Sequence, residues 1–125
     1  MRLASYAQES TRYCDYGGSG IQLIHPDELD DKQRERRERL FWKIQNIYEI
    51  ERSEGLPPQI ARGVLPTCLK TEIVMTANFR EWRHFIKLRA AGDAHPQIRP
   101  IAKTILQILM AHAPAVFVDL LEYGE

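Results

Sequence analysis

Cysteine is scarce in this chain. Cys14 and Cys68 stand far apart, in no CxxC pair or His/Cys cluster. That removes the usual frameworks for structural zinc or a disulfide scaffold and leaves a reducing, cytoplasmic setting as the expectation. No apolar run approaches the roughly 20 residues that span a bilayer, so a membrane protein is not expected. A basic segment leading into an apolar one is also missing, so no secretory signal is expected. Neither sign of charge dominates: 17 basic and 17 acidic residues cancel. A nucleic-acid coat needs an excess of positive charge to displace counterions, and this chain lacks it. Gly17, Gly18 and Gly20 make a flexible loop but no phosphate loop, because the Lys-Ser/Thr pair and following helix are absent. Ser10 has no His and Asp in an elbow pattern, so a hydrolase nucleophile is unsupported. His25, His95 and His112 show no metal-ligand spacing; each reads as a surface or capping residue, and no metal site is expected.

What the chain does have is arginine. Twelve of its 17 basic residues are Arg and five are Lys. The planar guanidinium fork suits phosphate and carboxylate, although genomic base composition can produce the same bias. With 125 residues the chain has room for one domain. A helix is predicted from about Asp31 to Ser53, with Leu40, Ile44, Ile47 and Tyr48 at helical spacing and Gly55 and Pro57-Pro58 ending it. Its charged first half reads as a solvated face with pairs such as Glu35–Arg39. A short helix follows from Pro58 to Leu65, stopped by Pro66. The β-branched stretch Thr71–Ala77 reads as a strand. Further helices are predicted from about Phe79 to Ala91, from Pro96 with an apolar stripe of Ile98, Ile101, Ala102, Ile105, Ile108 and Leu109, and after Pro114 with Val116, Phe117, Leu120 and Leu121. One strand cannot satisfy its own backbone. Either the opening segment pairs with it, or its partners lie on another chain.

Within the helix after Asn78, Arg80, His84 and Leu88 recur every four residues and share one face, with Glu81, Phe85 and Arg89 on the neighbouring stripe. The segment has Trp82, Phe85 and Ile86 to bury. The polar face is either simply wet, or a ligand face with Arg89 reaching an anion beside it. Arg2, Ser10, Arg12 and Tyr13 form a second polar cluster that spacing alone assigns to a loop.

The run from Arg2 to Tyr13, with Gln8-Glu9-Ser10-Thr11-Arg12-Tyr13 at its end, resembles the signature of ThyX-type, flavin-dependent thymidylate synthases: Arg-His-Arg, seven residues, then Ser. Arg2 matches the last arginine and Ser10 the serine; Met1 stands at the histidine position. Further blocks follow in the family's order: Ala61-Arg62-Gly63-Val64-Leu65-Pro66, Leu69 through Asn78, Arg80-Glu81-Trp82-Arg83-His84-Phe85, Leu88-Arg89, and Ala94-His95-Pro96-Gln97-Ile98-Arg99. The similarity covers essentially the whole chain, which corresponds to the C-terminal half or so of a family subunit. The interval from Arg89 to Asp93 is longer than in some members.

The resemblance implies an α+β domain with helices packed on a small, mainly antiparallel sheet, incomplete relative to the family domain. It implies methylation of dUMP to dTMP, with methylenetetrahydrofolate as carbon donor, FAD as cofactor and NADPH as the source of reducing equivalents. Gln8, Glu9, Ser10, Arg12, Arg62 and Arg89 would hold dUMP, with Ser10 and Arg89 closest to the chemistry. Arg2, Asn78, Arg80, His84 and Leu88 would line the FAD pocket. A homotetramer is the implied assembly. The absent upstream half raises two alternatives: a shortened relative that binds nucleotide or flavin without turnover, or one half of a split enzyme completed by an N-terminal partner.

Overall fold

The computed structural model describes residues 3–17 and 20–124. Arg2, and with it the start of the signature, lies outside the described residues, as does Gly18. The strand β1 (Ala4–Gln8) pairs with β2 (Ile73–Ala77) in a two-stranded antiparallel sheet. The opening segment therefore supplies the partner that β2 needs, and the α+β expectation holds. The Glu9 N–H donates to the Glu72 carbonyl at 2.9 Å and carries the pairing one step past β1. Helix α1 spans Asp31–Ser53, α2 Pro58–Ala61, α3 Phe79–Arg89, α4 Ile98–His112 and α5 Pro114–Phe117. The chain divides into two compact units: Ala7–Val74, and the chain from Met75 on together with the opening residues up to Tyr6.

In the first unit α1 starts and stops where its local chemistry dictates. The Asp30 carboxylate accepts from the Gln33 N–H at 2.8 Å while the Gln33 side chain accepts from the Asp30 N–H at 3.1 Å, a reciprocal cap that satisfies two otherwise orphaned donors. At the other end the Gly55 N–H donates to Arg52 and the Leu56 N–H to Glu51, with Gly55 at φ +92°. This is a Schellman stop, which needs a residue tolerant of the left-handed region. Glu35 and Arg39 form the expected surface pair at 2.8 Å. The buried side of α1 is Phe41 and Tyr48; Tyr48 joins Tyr16 and Ala61 in the unit's core. After α2, a single 3₁₀ turn over Arg62–Val64 replaces the last part of the predicted helix, because Pro66 drives Leu65 into extended backbone. Between there and β2, Leu23 and Leu69 form an isolated antiparallel bridge.

In the second unit, Ile86, Ala90, Ala102, Leu106, Phe117 and Leu120 form the core. Trp82 and Phe85 pack partly buried against it, as the sequence suggested. The helix α4 differs from its predicted form in two ways. It begins at Ile98, after a turn closed by the Ile98 N–H on the His95 carbonyl, rather than at Pro96. Its inward line is Ala102 and Leu106, whereas Ile101 and Ile108 are 54% and 55% exposed. The helix is apolar on most of its circumference, so periodicity defined a stripe too broad to locate the side that meets α3 and α5. The final segment continues from α5 as a 3₁₀ helix over Val118–Tyr123, with Phe117 and Leu120 buried and Leu121 left exposed.

Candidate functional site

The sharp turn after β1 places the chemistry of the first unit. Ser10 opens it: the Tyr13 and Cys14 N–H groups both donate to its carbonyl, at 3.0 and 2.9 Å. Its Oγ accepts from the Arg12 N–H at 3.3 Å, so the hydroxyl is oriented by its own turn and keeps its proton to donate elsewhere. This turn faces the segment that follows α2. Together they enclose a recess of about 480 Å³ whose lining includes Gln8, Glu9, Ser10, Thr11, Arg62 and Thr71. Four residues singled out from sequence, Gln8, Glu9, Ser10 and Arg62, thus meet in one place, although some 50 residues separate Arg62 from the rest.

Arg62 reaches across with one nitrogen, donating to Thr11 Oγ1 at 3.2 Å. One of its five donors is used in that bond, and the side chain is exposed. Arg12 is exposed too; its Nε donates to Gln59 Oε1 at 3.3 Å, and its guanidinium lies 5.3 Å from the centre of the Tyr13 ring. Glu9 is held from behind. The Tyr16 hydroxyl donates to its Oε1 at 3.1 Å, and the Tyr16 N–H is received by the buried Tyr48 hydroxyl at 3.3 Å. Burial, then the Glu9 carboxylate beside it, pushes the Tyr16 phenol up to about 12, so it stays a donor throughout the physiological range. Arg52 anchors the far end of the same turn by gripping Asp15 with two nitrogens, at 3.0 and 2.5 Å. The arginine holds the Asp15 carboxyl down at about 2.

The second unit presents the other predicted set on α3. Arg80, His84 and Leu88 are all exposed along one face, with Arg89 exposed in the last turn. Asn78 does something the spacing did not reveal: its Oδ1 accepts from the Glu81 N–H at 2.9 Å and caps the helix. Arg89 belongs to this unit and the Ser10–Arg62 recess to the other.

Some participants carried no signal in the sequence reading. Thr11, Thr67 and Thr71 line the recess with hydroxyls, Gln59 positions Arg12, and Tyr16 positions Glu9. Thr11 lay within the quoted signature run and Thr71 within the block from Leu69 to Asn78, and both could have been found there. Gln59 and Tyr16 depend on contacts between distant segments.

With this geometry in place, similarity to known proteins becomes decisive. The family model described as thymidylate synthase complementing protein matches residues 1–115. The chain belongs to that family. A relative from Geobacter sulfurreducens named flavin-dependent thymidylate synthase is 34% identical over 120 residues, covering 94% of this chain and 52% of its own length. Another of the same name from Mycobacterium marinum is 35% identical over 131 residues, covering 92% of this chain and 52% of its own. A Mycobacterium tuberculosis protein, also so named, is 52% identical over 61 residues, or 49% of this chain and 24% of its own length. The chain thus spans about half the length of the curated relatives that it matches along most of its own. No helix among the described residues is long and apolar enough to cross a membrane.

Proposed function

We propose that this member of the thymidylate synthase complementing family is the C-terminal portion of a cytoplasmic flavin-dependent thymidylate synthase, contributing to transfer of a one-carbon unit from methylenetetrahydrofolate to dUMP. The observation that carries the reading is the convergence of Gln8, Glu9, Ser10 and Arg62 on one recess of about 480 Å³. A nucleoside monophosphate demands charge-assisted donors for its phosphate and short polar groups for its base and sugar. Arg62 and the neighbouring Arg12 offer the first; Ser10 and the threonines offer the second. Arg89 is assigned to the nucleotide base, and Ser10 acts as a hydrogen-bonding contact whose proton is available to the ligand.

The flavin assignment rests on α3. Its exposed stripe of Arg80, His84 and Leu88 combines a cation, a ring with two nitrogens and an apolar surface, which fits a cofactor having both a phosphate-bearing tail and a flat ring. Arg2, Asn78, Arg80, His84 and Leu88 are the proposed contacts. FAD, when bound, would supply the hydride after reduction by NADPH; this chain's residues would hold and orient it. Self-association, or pairing with a complementing N-terminal half, completes the proposal.

A second reading is that the chain binds nucleotide or flavin without turnover. Titration with FAD and dUMP, followed by dUMP-dependent oxidation of NADPH in the presence of methylenetetrahydrofolate, separates the two. Binding with turnover supports the first reading, and binding without turnover the second. A folded chain that binds neither ligand sinks both.

A further inference from the structure

Arg99 is a half-buried cation whose Nε is buried and finds no hydrogen-bond partner. Arg52 and Arg83, half-buried too, each grip an aspartate; among the described residues no carboxylate pairs with Arg99. Lys103 follows one turn later on α4, half-buried and likewise in no ion pair among those residues. Residues four apart on a helix lie side by side, so the two positive charges repel. Arg99 also stands in the first turn of α4, the end of a helix where a cation is disfavoured. An anion set against both side chains would relieve the repulsion and supply acceptors to the guanidinium.

Space for one is present. Arg99 and Lys103 line a recess of about 540 Å³ within the second unit, with Tyr123, Glu122 and the small residues 90–92. The end of α3 and the start of α4 carry opposite partial charges of similar size, so the side chains set the balance there. Both cations are half-buried, whereas Glu122 is exposed and screened by water, and the balance is positive. Two cations and the Tyr123 hydroxyl suit the three oxygens of a phosphate monoester better than the two of a carboxylate. Glu122 narrows the choice further. Its carboxylate repels a bare phosphate ion but accepts from a hydroxyl on the rest of an ester.

We propose that Arg99, Lys103 and Tyr123 bind the phosphate group of a small hydroxylated phosphate monoester, with Glu122 receiving one of its hydroxyls. None of these four residues belongs to the proposed dUMP or FAD contacts. The site therefore stands or falls apart from the functional reading above.

The experiment is heteronuclear NMR of the isotope-labelled full chain, titrated with glycerol phosphate and, separately, with inorganic phosphate. Saturable shifts are expected at the amides of Gly92, Arg99, Lys103 and Tyr123, with the ester bound more tightly than the free ion. Arg99→Gln and Lys103→Gln should each weaken the ester roughly tenfold, the loss of one charge-assisted contact. Glu122→Gln should remove the preference for the ester. Circular dichroism checks each fold, and Lys103→Gln carries the test if Arg99→Gln does not fold. Shifts that never saturate, or that cluster only around Ser10 and Arg62, overturn the proposal. So does an affinity indifferent to the loss of either cation, or inorganic phosphate bound as tightly as the ester.

Discussion

Arg83 grips Asp119 with both terminal nitrogens, each 2.6 Å from a carboxylate oxygen, across 36 positions of sequence. The same guanidinium donates to the Val116 carbonyl, so one side chain of α3 ties down α5 and the 3₁₀ segment after it. The face of α3 that carries Arg80 and His84 is held in orientation by Ile86, fully buried on the opposite side, and by Arg83, which makes this clamp from the flank. Arg83→Ala is expected to lower the melting temperature more than Asp119→Ala does, because it loses the carbonyl contact as well as the ion pair. Thermal denaturation followed by circular dichroism decides it; equal losses would show that the Val116 bond contributes nothing.

Acid should act through the two arginine-gripped carboxylates. Arg52 and Arg83 hold Asp15 and Asp119 down at about 2. An ordinary Asp titrates at roughly 3.9 when unfolded, so each contributes stability that is fully present above that pH and lost as pH falls through about 2. Urea midpoints measured between about pH 5 and pH 2 should decline across that window. Asp15→Asn combined with Asp119→Asn should flatten the decline, and an unchanged slope would assign acid sensitivity to other groups.

Tyr48 is the fully buried centre of the first unit, and its hydroxyl receives the Tyr16 N–H. Tyr48→Phe leaves that donor without its partner and should cost about 1–3 kcal/mol. Tyr48→Ala adds a cavity and should cost about 3–5 kcal/mol. Denaturant titration of both variants tests the ranking, and a Phe variant as stable as the parent would mean the hydrogen bond is dispensable.

Gly55 closes α1 at φ +92°, and a Cβ placed there meets nothing within 4 Å. Gly55→Ala therefore isolates the backbone term, expected at about 1–2 kcal/mol of destabilisation. An alanine variant of equal stability would argue against the Schellman stop.

Arg62 lies at the surface of the recess and is bonded there to Thr11. Arg62→Ala should weaken dUMP binding by roughly tenfold or more, the equivalent of one charge-assisted hydrogen bond, while leaving the fold intact. Calorimetric titration of the variant gives the ratio, and undiminished affinity would remove Arg62 from the proposed phosphate site.

Much of the local structure was legible in the residues. The helix over Asp31–Ser53 was predicted with Gly55 as its end, and both that stop and the Asp30 cap that the structure adds work through neighbours within five positions. The blocks around Ser10, Arg62 and Asn78 likewise marked the family before any fold was known, because a motif is a linear pattern.

What the linear pattern could not contain was anything decided by which distant segments meet. Periodicity gave α4 an apolar stripe over most of its circumference, and only the packing of α3 and α5 against it selected Ala102 and Leu106 over Ile101 and Ile108. Nothing local decided between the opening residues and another chain as the partner of β2, or said that Gln59 would hold Arg12 or that Tyr16 would hold Glu9. The sequence by itself determined the ends of α1, the strand-forming stretch and the family, since hydrogen bonds within a few residues and motif order decide those. The tertiary structure alone decided the core line and the recess, because both arise where segments remote along the chain exclude water together.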